Sequence, residues 1–356
     1  SVSPDSLTWT FKLRKGLKFH NGEPMNSRAA IGSWKRYSEF FAFGKVVAGF
    51  VAKVEAMDDL TFRFTLKEPT GLLPEVFPMF RVLPESQVGV SIAEGLKEVI
   101  GGGPYKFKKW SPGDRYVMER WADYKPHPSP SSFHVGRKAA YLNEIHWIEV
   151  PDHATRVAAL ETGEVHFLDE FKADFAPRVR ANPKLTLYTI KPGNNLIVVF
   201  NNAVPPFNDV RARQAIRDAY PNKEALIAAV GDPELWTLCP SFFMCGTKWE
   251  SQVAKDLYNR RDMEGARKSL KEAGYVGIKL TKVRLMVPED MPVLPEASLV
   301  TRQLLQDLGF VVEYQSMDWA TLATKRTKPD LWEVFHTWGG RDWSLLNPLG
   351  NVAASP

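Results

Sequence analysis

Hydrophobic and polar positions trade places one residue at a time near the start of the chain: Trp9, Phe11 and Leu13 alternate with Thr10, Lys12 and Arg14. That period of two predicts a half-buried strand. Beyond Gly16, Leu17 and Phe19 resume the alternation, and Asn21-Gly22 supplies turn chemistry that closes such a segment. Asn26 or Ser27 then caps a helix carrying Ala29, Ala30, Ile31 and Trp34. From 141 onward the pattern switches between periods. It predicts strands over 145–150, 185–190 and 196–200 and helices over 154–162 and 210–220, the last resumed over 223–230. Pro221 stops the 210–220 helix at Tyr220, because its ring excludes the α region for the residue before it. Helix 263–273, strand 282–287, helix 294–308 and strand 311–315 follow, with Gly309 ending the last helix. This order of elements argues α/β lobes, and Pro126 to Ser132, rich in proline and serine, marks a surface connection between them.

At 356 residues the chain is too long for one ordinary domain. Its 44% hydrophobic and 24% charged content is that of a globular protein. No apolar run approaches the roughly 20 residues that cross a bilayer. The formal charge of +5 is spread among acids, with no basic tract interleaved with aromatics to suggest nucleic acid. Catalytic signatures are missing too: none of the seven histidines stands at H-E-x-x-H spacing, and there is no G-x-S-x-G elbow. Gly101-Gly102-Gly103 runs into Pro104, which lacks the N–H that an anion cradle uses. Enzyme, metal and cofactor chemistry are therefore not expected.

Leu7 to Arg36 resembles the W-x-F-x-L-R-x-G-x-x-F-H-x-G-x-P stretch of the family 5 extracellular solute-binding proteins, the peptide-binding subunits of ABC importers. Further landmarks of that family follow in order. Val54 to Pro69 resembles its strand pair, Gly103-Pro104-Tyr105 its G-P-Y segment, and Pro151 to Val165 its D-x-x-x-x-x-x-A-L-x-x-G-E-V-D run. Asn201, Pro205-Pro206-Phe207, Asp209, Arg213 and Ala215 resemble N-x-x-x-P-P-F-x-D-x-R-V-R-x-A; Ala273-Gly274-Tyr275 resembles its A-G-Y. His166 stands where the family usually has Asp, Gly102 where it has Thr, and Tyr220-Pro221-Asn222 where it has A-I-D.

The resemblance implies a two-lobed periplasmic-binding-protein-like fold with a hinge cleft and an extra N-terminal subdomain. Residues 1–140 would form that subdomain of lobe I, 141–235 the core of lobe I, and 236–356 an incomplete lobe II, the chain being cut short at both ends. It further implies an exported, periplasmic monomer without cofactor, which closes on a di- or oligopeptide and delivers it to ABC permease subunits. The alternative is the same fold holding a nickel complex, a sugar or an opine. Phe335 to Trp343 resembles the family's G-W-x-x-D loop, which implies that Asp342 pairs with the ligand's α-ammonium and Trp338 packs on it, while Arg341 neutralises Asp342 or holds a carboxylate. Trp338 as a core or rim aromatic is an equal alternative. Asn201, with Asn202, is a candidate for bonding a peptide backbone, against the alternative of capping the Pro205-Pro206 loop. Tyr105 is a candidate cleft residue, against packing with its hydroxyl satisfied. His20 reads as a turn residue. Cys239 and Cys245 are too few for a metal site and wrongly spaced for a redox C-x-x-C. A short-loop disulfide is expected of them, with two reduced thiols as the alternative.

Overall fold

The computed structural model describes all residues except 72, 78–79, 133–134, 192, 254, 277–280 and 340–356. Their contacts divide them into two compact units, one formed by Ser1–Glu149 and one that begins at Val150. The division expected near 140 thus falls after Glu149. The second unit continues through 235, since helices before and after that position share one hydrophobic core.

The first unit opens with β1 (Thr8–Lys12), α1 (Ser27–Phe40), α2 (Ala42–Phe50), β2 (Val51–Ala56) and β3 (Thr61–Leu66). The strands form an antiparallel sheet in the order β1-β3-β2. Phe62, Phe64 and Leu66 alternate on β3 and turn one face inward, where Ala30, Trp34 and Tyr37 of α1 meet them. Trp34 stands edge-on to Phe64 at 5.1 Å, and Phe11 stacks on Phe62 at 5.5 Å. Helix α1 starts where its cap requires: the Asn26 side chain accepts from the Ala29 N–H at 2.9 Å. Leu17 and Phe19, by contrast, build no strand. Phe19 is fully buried, but its segment folds into a turn with Gly22 at φ 87°, and only Lys18 and Pro24 form an isolated bridge. Two short helices follow, α3 (Leu73–Val76) and α4 (Glu85–Val88). A second antiparallel sheet comprises β4 (Tyr105–Ser111), β5 (Arg115–Arg120) and β6 (Glu144–Ile148), in that order.

The second unit contains α5 (His153–Thr162), α6 (Ala176–Ala181), β7 (Asn195–Phe200), α7 (Val210–Ala219), α8 (Asn222–Val230), α9 (Met263–Glu272), β8 (Lys282–Pro288), α10 (Leu294–Asp307), β9 (Val311–Met317), α11 (Trp319–Lys325) and β10 (Val334–Gly339). Helix α7 ends before Pro221 as its sequence requires. The strand expected over 185–190 does not form: Tyr188 is 80% and Ile190 55% exposed, so the alternation there has no core to face. Conversely, Val334–Gly339 is a strand that alternation did not announce.

The sheet order is β7-β10-β8-β9, with β8, β9 and β10 parallel and β7 antiparallel to β10. Helix α10 connects β8 to β9 and covers one face, where Leu304, Leu305, Val283, Leu285 and Val334 are buried together. On the other face Leu322 of α11 meets Met286 and Phe335. With both faces covered, the second half of β8, Leu285-Met286-Val287, reads as the continuous apolar run expected of a buried parallel strand.

Candidate functional site

Strand β8 is the point from which the chain order runs outward in both directions, to β9 on one side and to β10 on the other. Open α/β sheets bind ligands off the carboxyl ends of strands at such a reversal. Trp338 occupies that end of β10, paired with Leu196 of β7 and half-buried. It continues the row of Val334 and His336, which lies on the α10 side of the sheet. Arg341 and Asp342, the other two residues expected in this loop, lie outside the described residues.

Polar groups gather at the same end of the sheet. Glu289, just past β8, accepts from the Tyr314 hydroxyl at 3.2 Å and from Ser316 Oγ at 2.7 Å. Burial, reinforced by that carboxylate, pushes the Tyr314 phenol up to about 12. In the first turn of α10, Glu296 pairs with Lys172 at 2.7 Å. The bond to Glu296 raises the Lys172 pKa, while burial, helped by the nearby Arg156 and Lys172 cations, lowers that of His153. No pattern in the sequence announced Glu289, Tyr314, Lys172 or Glu296, because they come together only through the β8–α10–β9 crossover and the loop before α6.

Asn201 is at the other end. Since β7 runs antiparallel to β10, the residue after Phe200 lies beside Glu333, about 16 Å along the strand from Trp338 at ~3.3 Å per residue. Its side chain is spent inside the fold. Nδ2 donates to the Pro329 and Trp332 carbonyls at 2.7 and 2.8 Å, and Oδ1 accepts from the Ala203 N–H at 3.0 Å. At 4% exposure its amide bonds the loop before β10 and the turn that leads to Pro205-Pro206. Asn201→Ala is expected to cost about 2 kcal/mol, the price of stranding buried carbonyls, with solute affinity unchanged. Urea unfolding beside a binding isotherm checks both halves.

Tyr105 belongs to the first unit, where it is half-buried and its hydroxyl accepts from the Leu142 N–H at 3.1 Å. His20 does more than stand in a turn. Its Nδ1 accepts from the Gly101 N–H at 3.1 Å, so Nε2 carries the proton that it donates to the Gly103 carbonyl at 3.0 Å. The ring meets Trp121 edge-on at 4.9 Å. The segment packs closely here: a Cβ on Gly101 would stand 3.3 Å from the imidazole, and one on Gly102 would have to displace the flexible end of Met25, 2.5 Å away. Cys239 and Cys245 are joined as a disulfide, their Cα atoms 5.7 Å apart. Among the described residues no group of three or more metal-ligating side chains occurs, and no helix is long and apolar enough to cross a membrane.

The family described as bacterial extracellular solute-binding proteins, family 5 Middle, matches residues 1–355. A probable peptide ABC transporter periplasmic-binding protein of Sinorhizobium fredii is 30% identical over 349 residues, covering 94% of this chain and 65% of that protein. This chain therefore spans about two thirds of that relative's length. Among solved structures, the binding protein AgaA from A. tumefacien R10, in complex with agropinic acid, superposes with a TM-score of 0.80 at 24% identity, covering 96% of this chain and 68% of that one. The periplasmic binding protein DppA from Helicobacter pylori, in complex with the peptide STSA, gives 0.75 at 20% identity, with 99% and 70% covered. The fold is thus the α/β fold of the two-lobed periplasmic binding proteins. The chain belongs to the bacterial extracellular solute-binding proteins of family 5, a family of binding components and not of enzymes.

Proposed function

We propose that this protein is the extracytoplasmic binding component of an ABC importer, that it captures di- or oligopeptides, and that it hands them to permease subunits without covalent chemistry. The observation that carries the reading is Trp338 at the carboxyl end of β10, beside the chain reversal of a doubly covered sheet, in a chain whose family is one of solute-binding proteins. Asp342, and Arg341 beside it, complete the site in this reading: a carboxylate for the peptide's ammonium and a guanidinium for its carboxylate or for Asp342 itself. Tyr105 is a further ligand-lining residue on the same view. The peptide class is supported by the Sinorhizobium fredii relative and by the STSA-bound structure. The protein acts as a periplasmic monomer, with the cysteine pair suited to an oxidising compartment.

A second reading, an opine-type solute, is favoured by the superposition on the agropinic-acid complex. Native mass spectrometry of the full-length protein, purified without denaturation, separates the two. A distribution of bound masses that fragment as peptides is expected. One discrete non-peptide mass would reject peptide capture and leave the opine-type solute standing.

A further inference from the structure

His336 is fully buried in the middle of β10. Its Nε2 lies 2.7 Å from Thr301 Oγ1 on α10, and that oxygen lies 2.8 Å from the Tyr220 hydroxyl at the end of α7. Thr301 is itself fully buried and Tyr220 nearly so, and His336 Nδ1 has no hydrogen-bond partner among the described residues. A polar chain of this kind, inside a core of Leu285, Leu304 and Leu305, adds nothing to apolar packing. What it adds is position, since hydrogen bonds have a preferred length and direction whereas a leucine contact tolerates sliding. The chain ties three separate elements at one point, and that point is two residues before Trp338 on the same face of the same strand.

We propose that the Tyr220–Thr301–His336 chain is a positioning device for solute binding, fixing β10 against α10 so that the Trp338 indole is held in register at the carboxyl end of the sheet. The inference rests on the reading of that end as solute-facing, and its two halves are tested separately. Thr301→Val removes the central hydroxyl at nearly constant shape, and Thr301→Ser retains it. In the full-length protein without solute, the Trp338 indole ¹H–¹⁵N signal, assigned with Trp338→Phe, is expected to shift or broaden in Thr301→Val and to return to its wild-type position in Thr301→Ser. An unmoved signal in Thr301→Val overturns the positioning role, whatever happens to the melting temperature.

Retention of the copurifying peptide pool is expected to fall about tenfold in Thr301→Val, within the range by which supporting residues modulate a site. It should fall no further when Trp338→Ala is added, because both changes remove the same contact. Full additivity overturns the coupling. If Trp338→Ala alone leaves retention at the wild-type level, the solute-facing reading fails, while the indole signal still decides whether the chain positions β10. Should Thr301→Val not fold, Tyr220→Phe removes the outer anchor and carries the same readouts.

Discussion

Arg284→Ala is expected to remove about 3–5 kcal/mol of stability, a large part of the 5–15 kcal/mol that holds an ordinary domain folded. The Glu333 side chain is 7% exposed and depends on its Arg284 partner on β8. The Arg284 guanidinium donates to the Glu333 carboxylate through Nε and Nη2, and its backbone N–H donates to Oε2 at 2.6 Å. The Glu333 N–H returns a bond to the Arg284 carbonyl at 3.2 Å. Truncating the arginine leaves a buried carboxylate without its cation, and that stranded charge dominates the loss. Replacing both residues together, Arg284→Met with Glu333→Leu, leaves no unpaired charge and costs only the neutral bonds to the Arg284 N–H and the Asp330 carbonyl, so the double variant should be less damaged than either alanine single variant. Denaturant titration of the set checks this. A double variant as unstable as the sum of its parts would mean that the pair holds β10 through geometry that apolar side chains cannot replace.

Acidification should weaken the fold through His336. Burial pushes this imidazole down to about 3, and no charged group contributes to the shift; the titratable neighbour on its hydrogen-bonded chain is the Tyr220 phenol, itself raised by burial. A histidine of ordinary pKa, about 6.5, in the unfolded chain takes up a proton that the folded protein refuses. The unfolded state therefore binds more protons between these two values, and stability falls as the pH drops through that window. Between pH 7 and pH 4.5 the loss from this one ring is about 2.5 kcal/mol, at a limiting slope of ~1.4 kcal/mol per pH unit. His153, also lowered, acts in the same direction. Comparison with His336→Gln isolates the buried ring: the variant should start less stable at neutral pH and lose less on acidification. Equal losses in the two proteins would remove His336 from the account.

Much of this architecture was legible in the sequence wherever local chemistry and burial agree. Asn26 caps α1, Pro221 stops α7, and the Trp9-Phe11 alternation places β1, because each is decided within a few residues. Strand 185–190 failed for the opposite reason: alternation says which face could be buried and not whether anything covers it. Strand β10 escaped notice because a central strand covered on both faces loses its alternation, so Val334, Phe335 and His336 are all buried in succession. Missing the strand meant missing the site's frame, since the three-element chain around Thr301 and the opposite placement of Asn201 and Trp338 both follow from where β10 pairs. Trp338 itself was accessible through family resemblance alone. His20 was visible as a residue beside a turn, yet its partners lie some 80 positions away, at Gly101 and Gly103.

The place of β10 also governs when the second unit can come into being. Among the described residues it is the last strand in chain order and a middle one in space, and it joins β7 to β8 through partners as remote as Phe200 and Val334. Until it arrives, β7 has no neighbour in its sheet among the described strands, and a pairing over so long a loop is slow to close. A ribosome or a translocation channel therefore releases nearly all of this unit before its sheet can lock. The segment that joins the described strands into one sheet is also the one carrying Trp338, so formation of that sheet and assembly of the proposed binding face become a single event.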